Sequence, residues 1–563
     1  MDEDIEDMSL ILQRGLLLSL IFVVWMLPSS YSSSSPPEDA LFYIYDWPDL
    51  RDRYANYTDR SHLSHGVEFP AWVTHYGAGR VTDPVQLEHK TSQFGLFKIM
   101  FERALIDPRR TLDPSKASSF LIPFDIGMHT CFLEKNGRMR RSNCPLAPTV
   151  VERLQNSQWF TRNHGHDHLV IFAINYNMNY FSSARNCVSF MQACWNCTKV
   201  AIDEYLFTAK HRNFENKNRG INWHAVPFPS DYHFSELATR LMAGEEPPSG
   251  TATPRGRRLQ GGGRSAGPRR KSKGRGRLHK GEVEKDIDQG DAVVDTEELS
   301  EEKRHHQGGG WVPPWQRAGD PKEVLVSFTG NPRRFNEHST KIREALLAQC
   351  ANHSQCTHSA YKHDTKVSNN GVARQSLFCL QPPGDMPSRK SLFDTILSGC
   401  IPVLFHPLTA RYMYEWHWGQ ELWGEIAISF DSKEQNEALI GHQTDFIARL
   451  IKLASEDKEG IRLRQDKIKE FAYQLQYSLI GADGKVARMT EQKDAYEISM
   501  EKVLAIHAGK AKHDRVSDYV ECMLISGRDG IDLQTADWCT STGSTTDPYK
   551  PSPFDNFLYK SGE

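Results

Sequence analysis

The sequence predicts an α/β protein with two lobes, and three observations support this prediction. A chain of 563 residues is longer than one compact core usually holds, so two globular units are expected. In both halves, short apolar runs alternate with stretches in which apolar residues have helical spacing. Between the halves, residues 243–320 are poor in apolar side chains, and this stretch separates the predicted lobes.

The first predicted lobe spans residues 41–242. Its strands are expected at residues 40–45, 119–124 and 168–174, where apolar residues are concentrated. Between the first two strands, apolar side chains recur at helical spacing over residues 94–105. This order of elements favours a doubly wound sheet of parallel strands.

The second predicted lobe spans residues 321–510. It opens with the strand VLVSFTG and a helix at residues 339–349. Residues 376–407, SLFCLQPPGDMPSRKSLFDTILSGCIPVLFHP, then indicate a strand, a Pro/Gly loop, a helix, a Gly turn and a buried strand. One long helix is expected over residues 434–470, and residues 511–563 form a tail without an assigned role.

The stretch between the lobes has an unusual charge pattern. Gly, Arg and Lys dominate residues 254–280, and an acidic block follows at residues 282–302. Because so few apolar residues are present, we expect a disordered insert. Its basic half would also suit RNA binding, but it lacks interleaved aromatic residues that stack on bases. A net charge of -3 for the whole chain likewise gives no reason to expect a nucleic-acid partner.

The first forty residues predict a membrane anchor with a short cytosolic tail and a stem. Residues 8–27 are mostly apolar and just reach the length of a bilayer span. The uninterrupted apolar run, residues 15–27, is shorter and would also suit a cleaved signal peptide, and a buried soluble helix is a third alternative. The acidic residues before it give little information on orientation.

Two further features agree with a lumenal, oxidising compartment. Acceptor sequences for N-glycosylation occur at Asn56, Asn196 and Asn352. Some of the eleven cysteines, including the close pair Cys350 and Cys356, are expected to form disulfides.

The spacing of Cys194 and Cys197 is that of half a zinc site. No second pair with similar spacing follows, so the sequence does not predict a metal site there.

The loop at residues 382–387 is a candidate anion site. It leads into a helix that begins near Ser388, and Arg389 and Lys390 lie in the first turn. Cations there oppose the helix dipole, so their position calls for a bound anion such as phosphate, although a solvated surface pair is the alternative. Further along this helix, Asp394 could bind ribose hydroxyls or pair with a cation of the same helix.

Residues 378–407 resemble the signature of the exostosin-like glycosyltransferases of family 47. The portions FCLQPPGD and GCIPVLFHP are most similar to the plant xyloglucan galactosyltransferase branch, and the segments LVSFTGNPRR, IREALLAQC, VPFPSDYHF, SSFLIPFDIG and HGHDHLVIF agree. The resemblance implies a GT-B architecture of two Rossmann-like lobes, a nucleotide sugar, UDP-linked, held by the second lobe, and transfer with inversion. It also implies a single-pass type II protein of the Golgi membrane with a lumenal catalytic body.

The resemblance also implies site residues. Carried onto this sequence, it predicts that the donor is held by Ser327, Gly330, Arg333, Arg334, Arg343, Gly384, Asp385, Ser388, Arg389 and Asp394. In this prediction Asp394 binds the ribose. Helix dipoles and basic side chains hold the diphosphate, so no obligatory metal or cofactor is expected.

An inverting transfer needs a base that removes the proton of the acceptor hydroxyl. We expect it in the first lobe, with Asp125 as the first candidate and Asp167 or His168 next; for each, a structural role is an equally good interpretation. After HGHDH the plant branch usually continues into an Arg-containing strand end, whereas this chain continues AINYNMNY. The sequence therefore does not identify the acceptor.

The sequence thus predicts an inverting glycosyltransferase that moves galactose, glucuronic acid or a similar sugar onto a glycan or cell-wall polysaccharide. One alternative is an inactive relative that serves as partner or scaffold of another glycosyltransferase. Homo-oligomers, or hetero-oligomers with other glycosyltransferases, are among the candidate partners. A nucleic-acid-binding protein that uses the basic insert is the other alternative. The basic residues and loop glycine of the donor motif are present, which favours the enzyme.

Overall fold

The computed structural model describes residues 40–48, 74–124, 133–135, 138–140, 146–173, 185–202, 222–245, 311–332, 337–359, 370–384, 387–406, 409–410 and 413–509. The predicted anchor, most of the charged insert and the C-terminal tail lie outside these ranges. Within them, no helix combines the length and the apolar character that crossing a membrane requires.

The first lobe is built on a parallel sheet. The strands of this lobe are β1 (Phe42–Ile44), β2 (Val81–Asp83), β3 (Glu88–His89), β4 (Arg110–Thr111), β5 (Ser119–Leu121), β6 (Leu133–Lys135), β7 (Arg138–Arg140), β8 (His168–Phe172), β9 (Thr198–Ala201) and β10 (Trp223–Ala225). Six of them form a sheet of order β10-β9-β8-β5-β1-β4, in which neighbouring strands are parallel. The strands β2 and β3, and likewise β6 and β7, pair antiparallel.

Both faces of this sheet are buried, which explains the continuous apolar runs of its strands. The helices are α1 (Leu96–Ile106), α2 (Ala147–Gln155), α3 (Gln158–Thr161), α4 (Arg185–Ala193) and α5 (Glu236–Met242). On the inner face, Leu121 and Ile171 pack with α1 in the main core, which continues into the second lobe. On the outer face, Phe120 and Val170 pack with residues of α2, α3 and α4 in a separate cluster.

The second lobe has a parallel sheet of its own. Its strands β11 (Val324–Thr329), β12 (Cys356–Ser359), β13 (Ser376–Gln381), β14 (Ile401–Leu404) and β15 (Ile428–Ser429) form five strands in the order β12-β11-β13-β14-β15. The helices are α6 (Glu337–Ala351), α7 (Gly371–Arg374), α8 (Lys390–Leu397), α9 (Gln420–Ile426), α10 (Lys433–Ile440), α11 (Phe446–Glu456), α12 (Lys458–Phe471) and α13 (Ala495–His507). The predicted α/β class, with a parallel sheet in each lobe, is confirmed.

The prediction of one long helix over residues 434–470 is wrong, because this stretch forms three helices. The first, α10, ends at Ile440 with Gly441 as its C-cap, and His442 follows with a φ of 55°. The carboxylates of Asp445 and Asp457 then accept hydrogen bonds from the first turns of α11 and α12 as N-caps.

Residues 311–320 were expected in the insert, but they pack on the second lobe. Trp315 lies in a short 3₁₀ helix, is fully buried and belongs to the main core. The turn after α8 touches this segment at Gly399, where a Cβ atom would lie 3.0 Å from the carbonyl oxygen of Pro314. The predicted boundary at residue 320 is therefore wrong, and the described part of the second lobe begins at residue 311.

The last described helix, α13, returns to the first lobe. Tyr496 Oη donates a hydrogen bond of 2.9 Å to Asp107, and the ring of His507 lies 2.8 Å from Ser119 Oγ and 2.9 Å from Thr198 Oγ1. The sequence did not predict this helix, which joins the end of the second lobe to the first sheet.

Buried polar groups also join the lobes. Glu88 of β3 forms an ion pair with Arg374 of α7, and both residues are largely buried. Arg374 also donates to Tyr232 Oη at 3.2 Å, and this hydroxyl is 2.8 Å from Ser398 Oγ.

Four cysteines form disulfides within the second lobe, as the pairs Cys350–Cys356 and Cys379–Cys400. The first pair agrees with the close spacing in the sequence. In the first lobe Cys194 and Cys197 are buried thiols, and burial raises the pKa of Cys194.

Candidate functional site

The candidate site lies around the N-terminus of α8, between the carboxyl ends of the two sheets. The strand β13 ends at Gln381, and the loop at residues 382–384 leads toward α8, whose N-cap residue is Arg389. On the opposite side are Ile202, which follows β9, and Asp231, which follows β10. The first turn of α8 thus lies where ligands bind in open α/β sheets.

The loops that lead to this position are held together by Arg343, which is fully buried. Its Nε donates to the carbonyl of Pro383 at 2.8 Å, and its Nη atoms donate to the carbonyls of Asn331 and Pro382 at 2.8 and 3.3 Å. Because this guanidinium donates its hydrogen bonds to main-chain carbonyls, Arg343 holds the loops of the site in position. The expected direct contact with the donor has no support from its position.

Gly330 lies at the end of β11, next to Arg343. A Cβ atom here would lie 3.3 Å from both Arg343 Nη1 and the ring of Phe328, so the close approach of these side chains requires glycine. Its main-chain N–H donates to Ser359 O at 3.0 Å. Gly330 therefore allows the loop to pack on Arg343.

Ser327 does not reach the site. It lies within β11 and is buried, with Oγ 3.4 Å from Cys379 Sγ in the neighbouring strand. The position of Ser327 does not support the predicted contact with the donor, because its side chain is buried beside Cys379 of the neighbouring strand.

Arg389 and Ser388 stand directly before α8. Arg389 Nη1 donates to the carbonyl of Pro382 at 2.9 Å, so this side chain folds back over the loop. Ser388 is buried, and its Oγ is hydrogen-bonded to Tyr414 Oη. Gly384, also buried, is the last described residue of the loop before this segment.

Lys390 and Asp394 form a charged cluster with Asp231 of the first lobe. Lys390 Nζ lies 2.9 Å from Asp394 Oδ2 and 2.6 Å from Asp231 Oδ1, and the main-chain N–H of Asp231 donates to Asp394 Oδ1 at 2.7 Å. Burial raises the pKa of Asp394 to about 7; Lys390 opposes the rise and the charge of Asp231 adds to it. Pairing of Asp394 with a cation of the same helix, one of the two sequence interpretations, is thus present.

Asp167 and His168 lie far from this position. His168 is the first residue of β8, at the amino edge of the sheet, and its ring stacks on Phe120 on the outer face. Its Nδ1 lies 2.8 Å from Asp167 Oδ1 and its Nε2 lies 2.8 Å from Tyr45 Oη, while Asp167 also accepts from Arg162. This buried network faces away from the second lobe, so the positions of Asp167 and His168 do not support a role as catalytic base.

Several expected residues fall outside the described ranges, namely Asp125, Arg333, Arg334, Asp385 and Asn56. The chain before Asp125 is described up to Phe124, beyond the carboxyl end of β5. This edge of the first sheet faces the second lobe. The role of Asp125 as the base stays a prediction from the sequence. In the part of the chain that the structure covers, no group of three or more His, Cys, Asp or Glu residues could hold a metal ion.

The two described glycosylation acceptors differ. In the acceptor sequence at Asn352, both Asn352 and Ser354 are exposed at the end of α6. In the other, Asn196 Nδ2 donates to His164 O at 3.2 Å, and the hydroxyl of the fully buried Thr198 is bonded to His507. Asn352 is the accessible one.

The sequence analysis missed two residues that line the site. Asp231 belongs to the segment VPFPSDYHF, which contributed only to the resemblance, and Tyr414 lies in a stretch without a recognisable motif. Since both act through contacts between the lobes, no local pattern could reveal them.

Comparison with known proteins agrees with this geometry. The family model of the Exostosin GT47 domain matches residues 311–440, which include β11 to β15 and α8. Xyloglucan-specific galacturonosyltransferase 1 of Arabidopsis thaliana is 30% identical over 197 residues, which are 34% of this chain and 27% of that protein.

Two further relatives come from the same plant. Probable xyloglucan galactosyltransferase GT17 is 25% identical over 338 residues, 58% of this chain and 56% of the relative. Probable xyloglucan galactosyltransferase GT20 is 44% identical over 96 residues, 16% of this chain and 17% of the relative. The chain thus matches at most 56% of the length of these three relatives. The resemblance found in the sequence is confirmed: residues 311–440, in the second lobe, match the Exostosin GT47 domain model, and the chain is similar to plant xyloglucan glycosyltransferases.

Proposed function

We propose that this chain is a glycosyltransferase of GT-B architecture that transfers a sugar from a UDP-linked donor to a glycan or polysaccharide, with inversion at the anomeric carbon. The observation that carries the proposal is the position of α8. Within the matched GT47 domain, its N-terminus follows the loop after β13 and meets the carboxyl edge of the first sheet. The parallel sheets of the two lobes and the transferase names of the relatives support the same function.

The donor diphosphate belongs at the N-terminus of α8. The N–H groups of a first helical turn and the positive end of the helix dipole favour an anion, and the charge that develops on the leaving diphosphate strengthens this interaction. The hydrogen bond to the carbonyl of Pro382 holds the guanidinium of Arg389 at the loop. Because a guanidinium has five N–H donors, a contact with phosphate is compatible with this bond. Gly384 and Ser388 lie on the same loop. Asp385, Arg333 and Arg334 lie outside the described residues, and the resemblance in the sequence is what proposes them as further donor ligands.

The ribose belongs near Asp394. A carboxylate has about four lone-pair sites, and those not used by Lys390 and the N–H of Asp231 are available for ribose hydroxyls. In this arrangement Lys390 balances two carboxylates and is not the main phosphate ligand.

The acceptor binds on the first lobe, opposite the donor. A base at the carboxyl edge of the first sheet, for which Asp125 is our candidate, removes the proton of the acceptor hydroxyl as the hydroxyl attacks the anomeric carbon. The relatives are named for galactosyl and galacturonosyl transfer involving xyloglucan, so galactose or a uronic acid and a cell-wall polysaccharide are the proposed substrates. We place the protein in the Golgi membrane as a single-pass type II protein, alone or with other glycosyltransferases.

A transfer assay tests this function. The full chain is incubated with UDP-galactose, UDP-galacturonic acid or UDP-glucuronic acid and xyloglucan oligosaccharides, and the product is examined by NMR. We expect a new β-linked residue from an α-linked donor. An α-linked product would contradict inversion, and nucleotide binding without transfer to any glycan would favour the inactive relative.

Variants locate the base. Asp125→Asn should lower kcat by about 10² to 10⁴ while UDP is still bound. Asp167→Asn, in the buried network of the outer face, is the matched control and should keep its turnover per folded molecule. Equal turnover of Asp125→Asn and the original chain would exclude Asp125.

A further inference from the structure

Tyr414 links the site to the first lobe through its hydroxyl. The residue is fully buried, and its ring packs edge-on against Phe393 of α8 with 4.9 Å between the ring centres. Its Oη donates a hydrogen bond of 3.0 Å to the carbonyl of Ile202, the residue that follows β9. The same Oη is hydrogen-bonded to Ser388 Oγ.

The direction of these hydrogen bonds follows from chemistry. A carbonyl oxygen only accepts, so the single hydroxyl proton of Tyr414 goes to Ile202. Ser388 must then donate its own proton to Tyr414 Oη. The result is a directed chain from Ser388 through Tyr414 to Ile202, in which each bond polarises the next.

A second set of contacts holds the same helix against the first lobe. Asp231 bonds both Lys390 in the first turn and Asp394 one turn later, and Tyr232 bonds Ser398 at the end of the helix. The helix α8 is thus connected to the first lobe along its whole length. A displacement of its N-terminus would break bonds to the first lobe.

We propose that Tyr414 is a positioning residue that fixes Ser388 and the N-terminus of α8 for the diphosphate of a nucleotide sugar. This inference rests on the proposed function. In this proposal Tyr414 does not contact the donor itself. It holds Ser388 next to the position where main-chain N–H groups of α8 contact the phosphate, and it fixes this position relative to the first lobe. Donor affinity therefore depends on a bond between the two lobes.

The test compares two tyrosine variants of the full chain. Tyr414→Phe removes the shared hydroxyl and keeps the ring. Tyr477→Phe is the matched control, because Tyr477 is also fully buried and its Oη donates to a main-chain carbonyl of the first lobe, that of Pro227, at 2.8 Å.

We expect Tyr414→Phe to raise the KM for the UDP-sugar and the Kd for UDP by about tenfold, the equivalent of one hydrogen bond, with kcat and acceptor KM nearly unchanged. Tyr477→Phe should lower the melting temperature to a similar extent but leave the donor constants as they are. Equal donor constants in the two variants would overturn the proposal, because loss of stability alone would then explain both.

A second variant keeps the test decisive if Tyr414→Phe does not fold. Ser388→Ala removes the other end of the bond and should raise the same donor constants, whereas unchanged donor constants would overturn the proposal. When both single variants fold, the double variant should raise the donor constants no more than the larger of the two single changes does, because both changes break the same chain of hydrogen bonds. If the original chain neither binds UDP nor turns over a UDP-sugar, the proposed function fails and this inference fails with it.

Discussion

The main-chain N–H of Asp231 donates a hydrogen bond of 2.7 Å to Oδ1 of Asp394, so a residue of the first lobe contacts the helix at the centre of the candidate site. Lys390 adds an ion pair to each of these two carboxylates. This cluster has consequences for the pH dependence of folding.

Asp394→Asn should flatten the pH dependence of stability. Burial raises the pKa of Asp394 from 3.8 to about 7, so between these values the folded chain holds a proton that the unfolded chain has lost. The free energy of unfolding therefore decreases as pH rises through this window, and Asn removes that decrease. Urea unfolding at about pH 5 and about pH 7.5 measures it.

Buried histidines have the opposite effect on the pH dependence of stability, since burial lowers the pKa of His233 to about 4. The quantity to compare is therefore the difference in the free energy of unfolding between the variant and the original chain at each pH. Asp231→Asn is a second test: without the charge of Asp231 the pKa of folded Asp394 should fall, so the upper limit of the pH window should fall and the window should narrow. A difference between Asp394→Asn and the original chain that does not change with pH would contradict this description.

Arg374→Ala should destabilise the chain by about 3–5 kcal/mol, because it leaves Glu88 buried without its cation. Denaturant unfolding gives the value. The double variant Glu88→Gln with Arg374→Met should lose much less than the sum of the single changes. Additive losses would show that this pair does not join the lobes in solution.

Replacing Cys379 and Cys400 by alanine should lower stability by about 3 kcal/mol, because their disulfide closes a loop with a sequence separation of 21 around α8. Alkylation before and after reduction, followed by mass spectrometry, identifies the pair. Alkylation of both residues in the unreduced native chain would contradict the structure.

Glycan should be found on Asn352 and not on Asn196 when the chain is made in a secretory host. Asn352 is exposed, whereas the side chain of Asn196 bonds His164 and its neighbour Thr198 is buried. Mass spectrometry before and after glycosidase treatment compares the original chain with Asn352→Gln. Glycan on Asn196 alone would be incompatible with this packing.

Much of the second lobe was predictable because its sequence contains complete local signals. The strand expected at residues 376–381 is β13, and the helix expected from Ser388 is α8, which begins at Lys390. Pro and Gly mark the ends of these elements. The break between α10 and α11 also had a signal in the sequence, Gly441 followed by Asp445, which the prediction of one long helix did not use.

The site was predicted less well, for a physical reason. The sequence placed Asp394 on α8 and Arg389 at its start, as observed. It could not distinguish Arg343, whose guanidinium bonds the main chain of the loops, from an arginine that faces a ligand. The motif around His168 suggested chemistry, yet that ring lies on the outer face of its sheet. Which side of an element a polar residue faces is decided by packing between distant segments, such as Asp231 on α8.

Nucleotide binding by the full chain tests the central claim most directly. Thermal shift with UDP, GDP and their sugars is measured on the original chain and on Arg389→Ala, with Arg464→Ala as control, an arginine that likewise donates to main-chain carbonyls but lies on α12. We expect UDP compounds to raise the melting temperature, with about tenfold weaker binding in Arg389→Ala and no change in Arg464→Ala. No shift with any nucleotide, on a chain shown to be folded, would contradict a donor site at α8.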